Sequence, residues 1–303
     1  MPTITTNGIT TNYLQIKCEA GDDCEDLVMV HGLGTNLSFW YLPHAMNFAT
    51  RYRVTLFDLR GHGRSGMPPG GYTPRNLAND LRGLLDGLGI ARAHFVAHSF
   101  GGVIALNLAC QEPERFIDLV LADTQISSVR RQQHKQAWPF GEILQPLFRQ
   151  HGIDIDVNDP YFGFHLLGAV ARLEAENVTL SPELTRLLGP LVGKSSKRTA
   201  RQWLWLLNTT AAESELMSDD GLSQNKLRKL KFPILAMYGE RSRGLYFGKQ
   251  QEKIWHHASF CGLAEAGHFF PLTHADLFME KCFQFWQEAA VAHPLYPPVV
   301  ANQ

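Results

Sequence analysis

Ala93-His94-Phe95-Val96-Ala97-His98-Ser99-Phe100-Gly101-Gly102-Val103-Ile104 is the stretch that decides the fold. Ala93 to Ala97 reads as a strand buried on both faces, as in a parallel sheet. The residues after Gly102 read as a helix, with Leu106, Ala109 and Cys110 on one face. Ser99 sits in the turn between them, with small residues two before it (Ala97) and two after it (Gly101). A strand-to-helix turn this tight strains the serine backbone, and small residues at those positions let the chains pass. The turn lifts the hydroxyl above the sheet and aims the helix N-terminus at the same point. The competing explanation is a serine N-cap in an ordinary strand–helix unit.

Working outward, the same rhythm recurs. Thr3 to Thr6 and Ile9 to Ile16 flank an Asn7-Gly8 turn and predict a hairpin. Leu27 to Val30 and Arg53 to Phe57 are further strand runs, ending at His31-Gly32 and at Asp58. A helix is expected from about Thr73 to Gly87, with Thr73 as cap and Pro74 in its first position. Phe116 to Ala122 is the next strand. Strand and helix alternate, which predicts an α/β fold with a parallel sheet covered on both faces. From Gln125 to Leu230 no strand run appears. This segment has helical stretches such as Leu184 to Leu188 and Ala200 to Asn208, broken by prolines and glycines, and it is rich in aromatics: Trp138, Phe140, Phe148, Tyr161, Phe162, Phe164, Trp203 and Trp205. Strands resume at Phe232 to Tyr238 and Ser259 to Ala264, followed by a helix from about Ala275 to Ala290. The expected organisation is therefore a core of residues 1–124 and 231–292, a helical cap of 125–230, and a loosely ordered, proline-rich tail of 293–303.

Composition narrows the class. The chain has 303 residues, 45% hydrophobic and 19% charged, which suits a folded globular protein. A formal net charge of −1 argues against a nucleic-acid partner, which usually demands a basic excess. The N-terminus lacks the basic and apolar regions of a signal peptide, and no apolar run approaches a membrane span. The five cysteines (Cys18, Cys24, Cys110, Cys261, Cys282) show no paired spacing and are expected to be free thiols in a reducing cytoplasm. No zinc spacing is present. His94 and His98 are four apart, but they flank a strand and are better explained by its ends. Neither metal nor cofactor is expected.

Three further motifs carry chemistry. His31-Gly32-Leu33-Gly34 follows a strand, and its Leu33 N–H, with the N–H of Phe100 after the candidate nucleophile, would form a pair of oxyanion donors. Gly61-His62-Gly63-Arg64-Ser65-Gly66 matches a dinucleotide fingerprint in form, but Met67-Pro68-Pro69-Gly70-Gly71 follows, a loop where a helix would be needed. His268, in Glu265-Ala266-Gly267-His268-Phe269, lies on a loop late in the chain. It supplies a side chain suited to general-base work.

Together these motifs resemble the α/β-hydrolase superfamily, in its capped, esterase- and lipase-like branch. The residues carrying the resemblance are Val30 to Gly34, Phe57 to Ser65, Ala97 to Gly102, Tyr238-Gly239-Glu240 and Gly267-His268, in the family's order and covering about Thr3 to Ala290. The resemblance implies an eight-stranded, mostly parallel sheet with a helical cap, Ser99 as nucleophile, His268 as base, and a structural role for Asp58 to Ser65. One departure matters. The family usually carries its acid as Gly-Glu-x-Asp after the strand ending here at Tyr238, whereas this chain reads Gly239-Glu240-Arg241-Ser242. Asp123, at the end of the preceding strand, is the preferred substitute, since some members place their acid there. Glu240, a dyad without an acid, or an inactive site remain alternatives. Serine in place of aspartate as nucleophile argues for acyl transfer. The expected substrate is a small molecule with an apolar acyl group: an ester, thioester or lactone. A carbon–carbon bond hydrolase and a binding protein without turnover are the alternatives.

Overall fold

The structure, a computed structural model, describes residues 1–130, 138–193 and 196–292. The chain opens with the expected hairpin. Strand β1 (Thr3–Thr6) pairs antiparallel with β2 (Ile9–Ile16) through Asn7 and Gly8, which take φ of 47° and 75°. Positive φ at both turn positions matches the right-handed twist of the strands, and Asn-Gly supports it at low steric cost. Six more strands follow: β3 (Asp26–Val30), β4 (Arg53–Phe57), β5 (Ala93–His98), β6 (Phe116–Ala122), β7 (Ile234–Gly239) and β8 (Ser259–Leu263). They form one eight-stranded sheet in the order β1-β2-β4-β3-β5-β6-β7-β8. β2 runs antiparallel to β4, and every later pairing is parallel.

Side chains alternate across this sheet and so divide the core in two. Val28, Val30, Phe95, Ala97, Leu119 and Leu121 face one layer, with Leu77, Leu81, Leu84 and Leu85 of helix α1 (Pro74–Leu88) and Ile104 and Leu108 of α2 (Phe100–Ala109). Leu27, Met29, Val96, Val120 and Met237 face the other, against Phe278, Cys282, Phe285 and Trp286 near the C-terminus. Burial on both faces is why these strands read as unbroken apolar runs. Helix α1 begins where the sequence signals it: the Thr73 hydroxyl accepts from the Asn76 N–H, Pro74 takes the first position, and Gly89 at φ 68° ends it.

Between β6 and β7 the described segments are helical, chiefly α3 (Pro139–Gln150), α4 (Phe162–Ala175), α5 (Pro182–Leu188) and α6 (Ser196–Thr209). Leu144, Phe148, Phe162, Val170, Leu184 and Leu188 give them a small core of their own. Trp203 and Leu206 of α6 join the main core. Polar ties complete the attachment: Gln202 Nε2 donates to the Gly63 carbonyl at 3.0 Å, and Glu215 accepts from the Gly71 N–H at 2.8 Å. The expected tail, 293–303, lies outside the described residues. Among the described residues no helix is long and apolar enough to cross a membrane.

One expectation needs correcting. Cys18 and Cys24 are joined as a disulfide across the loop between β2 and β3, leaving Cys110, Cys261 and Cys282 free. The six-residue separation looks unpaired in sequence. The loop nevertheless doubles back and sets the two Cα atoms 6.2 Å apart, inside the bonding range. The step from free thiols to a reducing compartment loses that support.

At the far end of β5 from Ser99, His94 is buried between two carboxylates. Its Nδ1 meets Asp118 Oδ2 at 2.7 Å and its Nε2 meets Glu25 Oε2 at 3.1 Å, while Trp286 Nε1 donates to the other Asp118 oxygen at 3.0 Å. Burial opposes charge on this ring, but Asp118 and Glu25 outweigh it and raise the pKa to about 9. A raised folded-state pKa contributes stability that is complete below the unfolded value, near 6.5, and lost as pH rises through 9. The contribution is on the order of 3 kcal/mol. Below pH 6.5 the opposite applies to His44 and His62, which burial pushes down to about 4 and about 3. The unfolded chain takes up protons there that the folded chain refuses. Urea midpoints are therefore expected to fall between pH 7 and 9.5 in the wild type and to change far less in His94→Gln. Equal slopes in the two proteins would remove His94 as the cause.

Candidate active site

Ser99 stands at the junction of β5 and α2 with φ 55° and ψ −122°, and its N–H donates to the Ala122 carbonyl at 2.8 Å. Such a backbone costs of order 1–3 kcal/mol and persists only where the surroundings impose it. Here they do. A Cβ on Gly101 would stand 2.6 Å from the carbonyl oxygens of both Val30 and His31. Helix α2 therefore starts hard against the end of β3, and glycine two residues after Ser99 is what lets it do so.

Asp123 follows β6 at φ 52°, with a fully buried side chain. Its N–H donates to the Met237 carbonyl at 2.9 Å. Its Oδ2 accepts from the Nδ1–H of His268, on the loop after β8, and from the Ser242 hydroxyl at 2.5 Å. A proton on Nδ1 leaves Nε2 of His268 as the basic nitrogen. The Ser242 hydroxyl also accepts from the Gly244 N–H at 2.9 Å, and a Cβ on Gly244 would come within 2.4 Å of Asp123 Oδ1. The turn after β7 is thus shaped around the Asp123 carboxylate. Glu240 is exposed, and its N–H is spent on the Leu263 carbonyl. Of the two carboxylates weighed in sequence, Asp123 meets His268.

The candidate oxyanion residues Leu33 and Phe100 line the same cavity as Ser99 and His268. The loop carrying Leu33 is held by neutral histidines. His31 Nδ1 donates to the Gly32 carbonyl at 2.8 Å, and its Nε2 accepts from the Leu59 N–H at 3.1 Å. His62 Nε2 accepts the Gly34 N–H at 3.3 Å, so that amide is already committed. Burial lowers the pKa of both rings. Asp58 braces the neighbouring turn, accepting from the N–H groups of Leu37 and Arg64, each at 2.8 Å. Gly61 to Gly66 is a closed loop, with Gly61 N–H donating to Gly66 O at 2.9 Å.

His98, which the sequence explains only as the end of a strand, also contributes to the site. It is buried, stacks on Phe39 at 4.7 Å, and donates from Nε2 to the His268 carbonyl at 3.0 Å, so it fixes the loop that carries His268. Burial, then the neighbouring His268, holds its pKa well below the ordinary value. Its place next to Ser99 was the available signal, but its partner lies 170 residues away. The cavity has a volume of about 230 Å³. Of the aromatics singled out above, Trp138, Phe140, Phe148, Tyr161, Phe162 and Phe164 line it. Trp203 packs instead beside His62, and Trp205 is 64% exposed.

Over 151 residues the chain is 34% identical to a 3-oxoadipate enol-lactonase of Acinetobacter baylyi, covering 50% of this chain and 52% of that one. Over 110 residues it is 36% identical to a putative carbamate hydrolase of Pantoea ananatis, covering 36% and 40%. The matches thus span about half or less of those relatives. Among solved structures, an enol-lactonase from Burkholderia xenovorans superposes with a TM-score of 0.65 at 24% identity over 94% of this chain and 99% of that one. An esterase from Rhodococcus gives 0.66 at 20% identity over 93% and 96%. At these identities the structures speak for the fold. Residues 27–275 match the alpha/beta hydrolase fold family, and with the sheet order and the strand–serine–helix turn described above, the chain belongs to that family.

Proposed function

We propose that this chain is a serine hydrolase that cleaves a moderately hydrophobic carboxylic ester, thioester or lactone through an acyl-enzyme. The observation that carries the proposal is the hydrogen bond from His268 Nδ1 to the buried Asp123, on a cavity that Ser99 also lines. Ser99 Oγ attacks the carbonyl carbon and gives its proton to His268 Nε2. The tetrahedral oxyanion is held by the N–H groups of Leu33 and Phe100, each worth on the order of 3 kcal/mol in the transition state. The intermediate collapses, and the leaving alkoxide or thiolate takes the proton from His268. Water then attacks the acyl-enzyme, again deprotonated by His268, and releases the acid with Ser99 restored. Asp123 keeps the proton on Nδ1 and stabilises the imidazolium. The enol-lactonase, carbamate hydrolase and esterase relatives support hydrolytic chemistry on this scaffold.

A serine at position 242, where the family usually carries its acid, would suit a binding protein without turnover. Its hydroxyl bond to Asp123 gives it a supporting place beside the acid instead. The test is a fluorophosphonate probe together with p-nitrophenyl esters of increasing chain length. Labelling confined to Ser99 and a turnover optimum at intermediate length are expected. Neither labelling nor turnover of any ester would overturn the proposal.

A further inference from the structure

The cavity over Ser99 is not uniformly apolar. Besides its aromatic and leucine lining it presents Arg130, Arg241 and Arg243. Among the described residues the carboxylate on that lining is Asp123, which is committed to His268 and Ser242. Arg241 is 46% exposed and paired with Glu265. Arg243 differs. Its Nη1 donates to the Asp159 carbonyl and its Nη2 to the Asn158 carbonyl, the latter at 2.8 Å. Both acceptors are neutral, and a guanidinium carries five N–H donors, so its hydrogen-bonding capacity is not exhausted.

The nearest carboxylates do not take up the remainder. Asp156 Oδ1 accepts from the Asn158 N–H at 2.9 Å. Asp159 Oδ1 accepts from the Tyr161 N–H at 2.6 Å, and its Oδ2 faces His165 at 3.5 Å. Neither lines the cavity. Burial lowers the pKa of Arg243, and the charge of Arg130 adds to the effect, against the opposite pull of Asp159 and Asp156. Arg130 lies over the Tyr161 ring at 4.8 Å, and that ring is anchored by its hydroxyl on the Met217 carbonyl at 2.9 Å. A guanidinium keeps its proton at neutral pH, so Arg243 is a cation held partly out of water in an apolar chamber. Such a charge is costly until an anion meets it, and the guanidinium fork matches the two oxygens of a carboxylate.

We propose that the cavity takes a substrate whose apolar body ends in a carboxylate, gripped by Arg243 with Arg130 beside it, while Ser99 acts on an ester, thioester or lactone carbonyl elsewhere in the same molecule. This deepens the serine-hydrolase proposal for the same site and rests on it for the chemical step. Simple neutral esters are then poor stand-ins for the natural substrate.

Two measurements test it. In turnover, mono-p-nitrophenyl octanedioate is compared with its methyl-capped ester, and 3-carboxy-4-nitrophenyl octanoate with its methyl ester. The first pair places the carboxylate on the acyl side and the second on the leaving-group side. One carboxylate ester is expected to exceed its capped counterpart in kcat/KM by at least about tenfold, with the ratio collapsing in Arg243→Met and falling at high salt. In binding, the Ser99→Ala protein is titrated calorimetrically with monomethyl and dimethyl octanedioate, which needs no chemistry. A Kd for the monoacid at least about tenfold lower supports charge recognition even where no ester turns over, and in that case it is the hydrolase proposal that fails. Neutral esters turned over as fast as charged ones, with equal Kd values, overturn the carboxylate proposal and leave the hydrolase standing.

Discussion

Ser99→Ala is expected to lower kcat for the best p-nitrophenyl ester by on the order of 10⁴- to 10⁶-fold and to abolish fluorophosphonate labelling. The magnitude follows from what is removed. Without Oγ there is no covalent intermediate, and the remaining rate comes from the oxyanion donors and binding alone. The fold should be unaffected. The Ser99 side chain caps nothing, and alanine faces the same φ of 55° with the same Cβ, so the melting temperature is expected to stay within a few degrees. A variant that folds normally and keeps more than a tenth of the wild-type kcat would remove Ser99 from the reaction.

Asp123→Asn carries the second-largest expected effect, a fall in kcat of about 10⁴-fold, or about 5 kcal/mol of transition-state stabilisation. An asparagine side chain carries no charge, so the imidazolium loses its counter-charge, and the amide NH₂ turned toward Nδ1 holds the ring in the wrong tautomer. The companion variant is Ser242→Asp in the Asp123→Asn background. The Ser242 hydroxyl already touches the same carboxylate oxygen as His268, so a carboxylate there is expected to recover at least tenfold of the lost rate. Glu240→Gln, exposed and away from the cavity, should stay within about twofold of wild type. Near-full activity in Asp123→Asn would sink the assignment whatever the companion does.

The adjacency of β6 and β7 puts the ends of both strands within reach of His268. Ala122 pairs with Met237 in parallel register, and Asp123 donates its N–H to the Met237 carbonyl. Neighbouring strands lie about 4.8 Å apart. A carboxylate at either strand end therefore reaches the same histidine after a small change of turn. The turn after β7 fits the Asp123 carboxylate, with Ser242 donating to it and Gly244 making room for it.

What could be determined from sequence alone was local. The strand–Ser99–helix turn, the Asn7-Gly8 hairpin, the Thr73-Pro74 helix start and the doubly buried strands each depend on residues a few positions apart, where backbone sterics and short-range hydrogen bonds decide the outcome. The loop at Gly61 to Gly66 was legible for the same reason, through the prolines and glycines that follow it. What only the tertiary structure decided was contact between distant segments. Asp123 and His268 meet across 145 positions, and Asp123 and Ser242 across 119. The pairing of Cys18 with Cys24 depended on a loop doubling back, and the separation of cavity-lining Phe162 from exposed Trp205 depended on which helix faces the core cover. The charge of Arg243 was plain in the sequence. Its partial burial in the cavity that Ser99 also lines was not, because desolvation is set by everything packed around a group and by nothing in its neighbours along the chain.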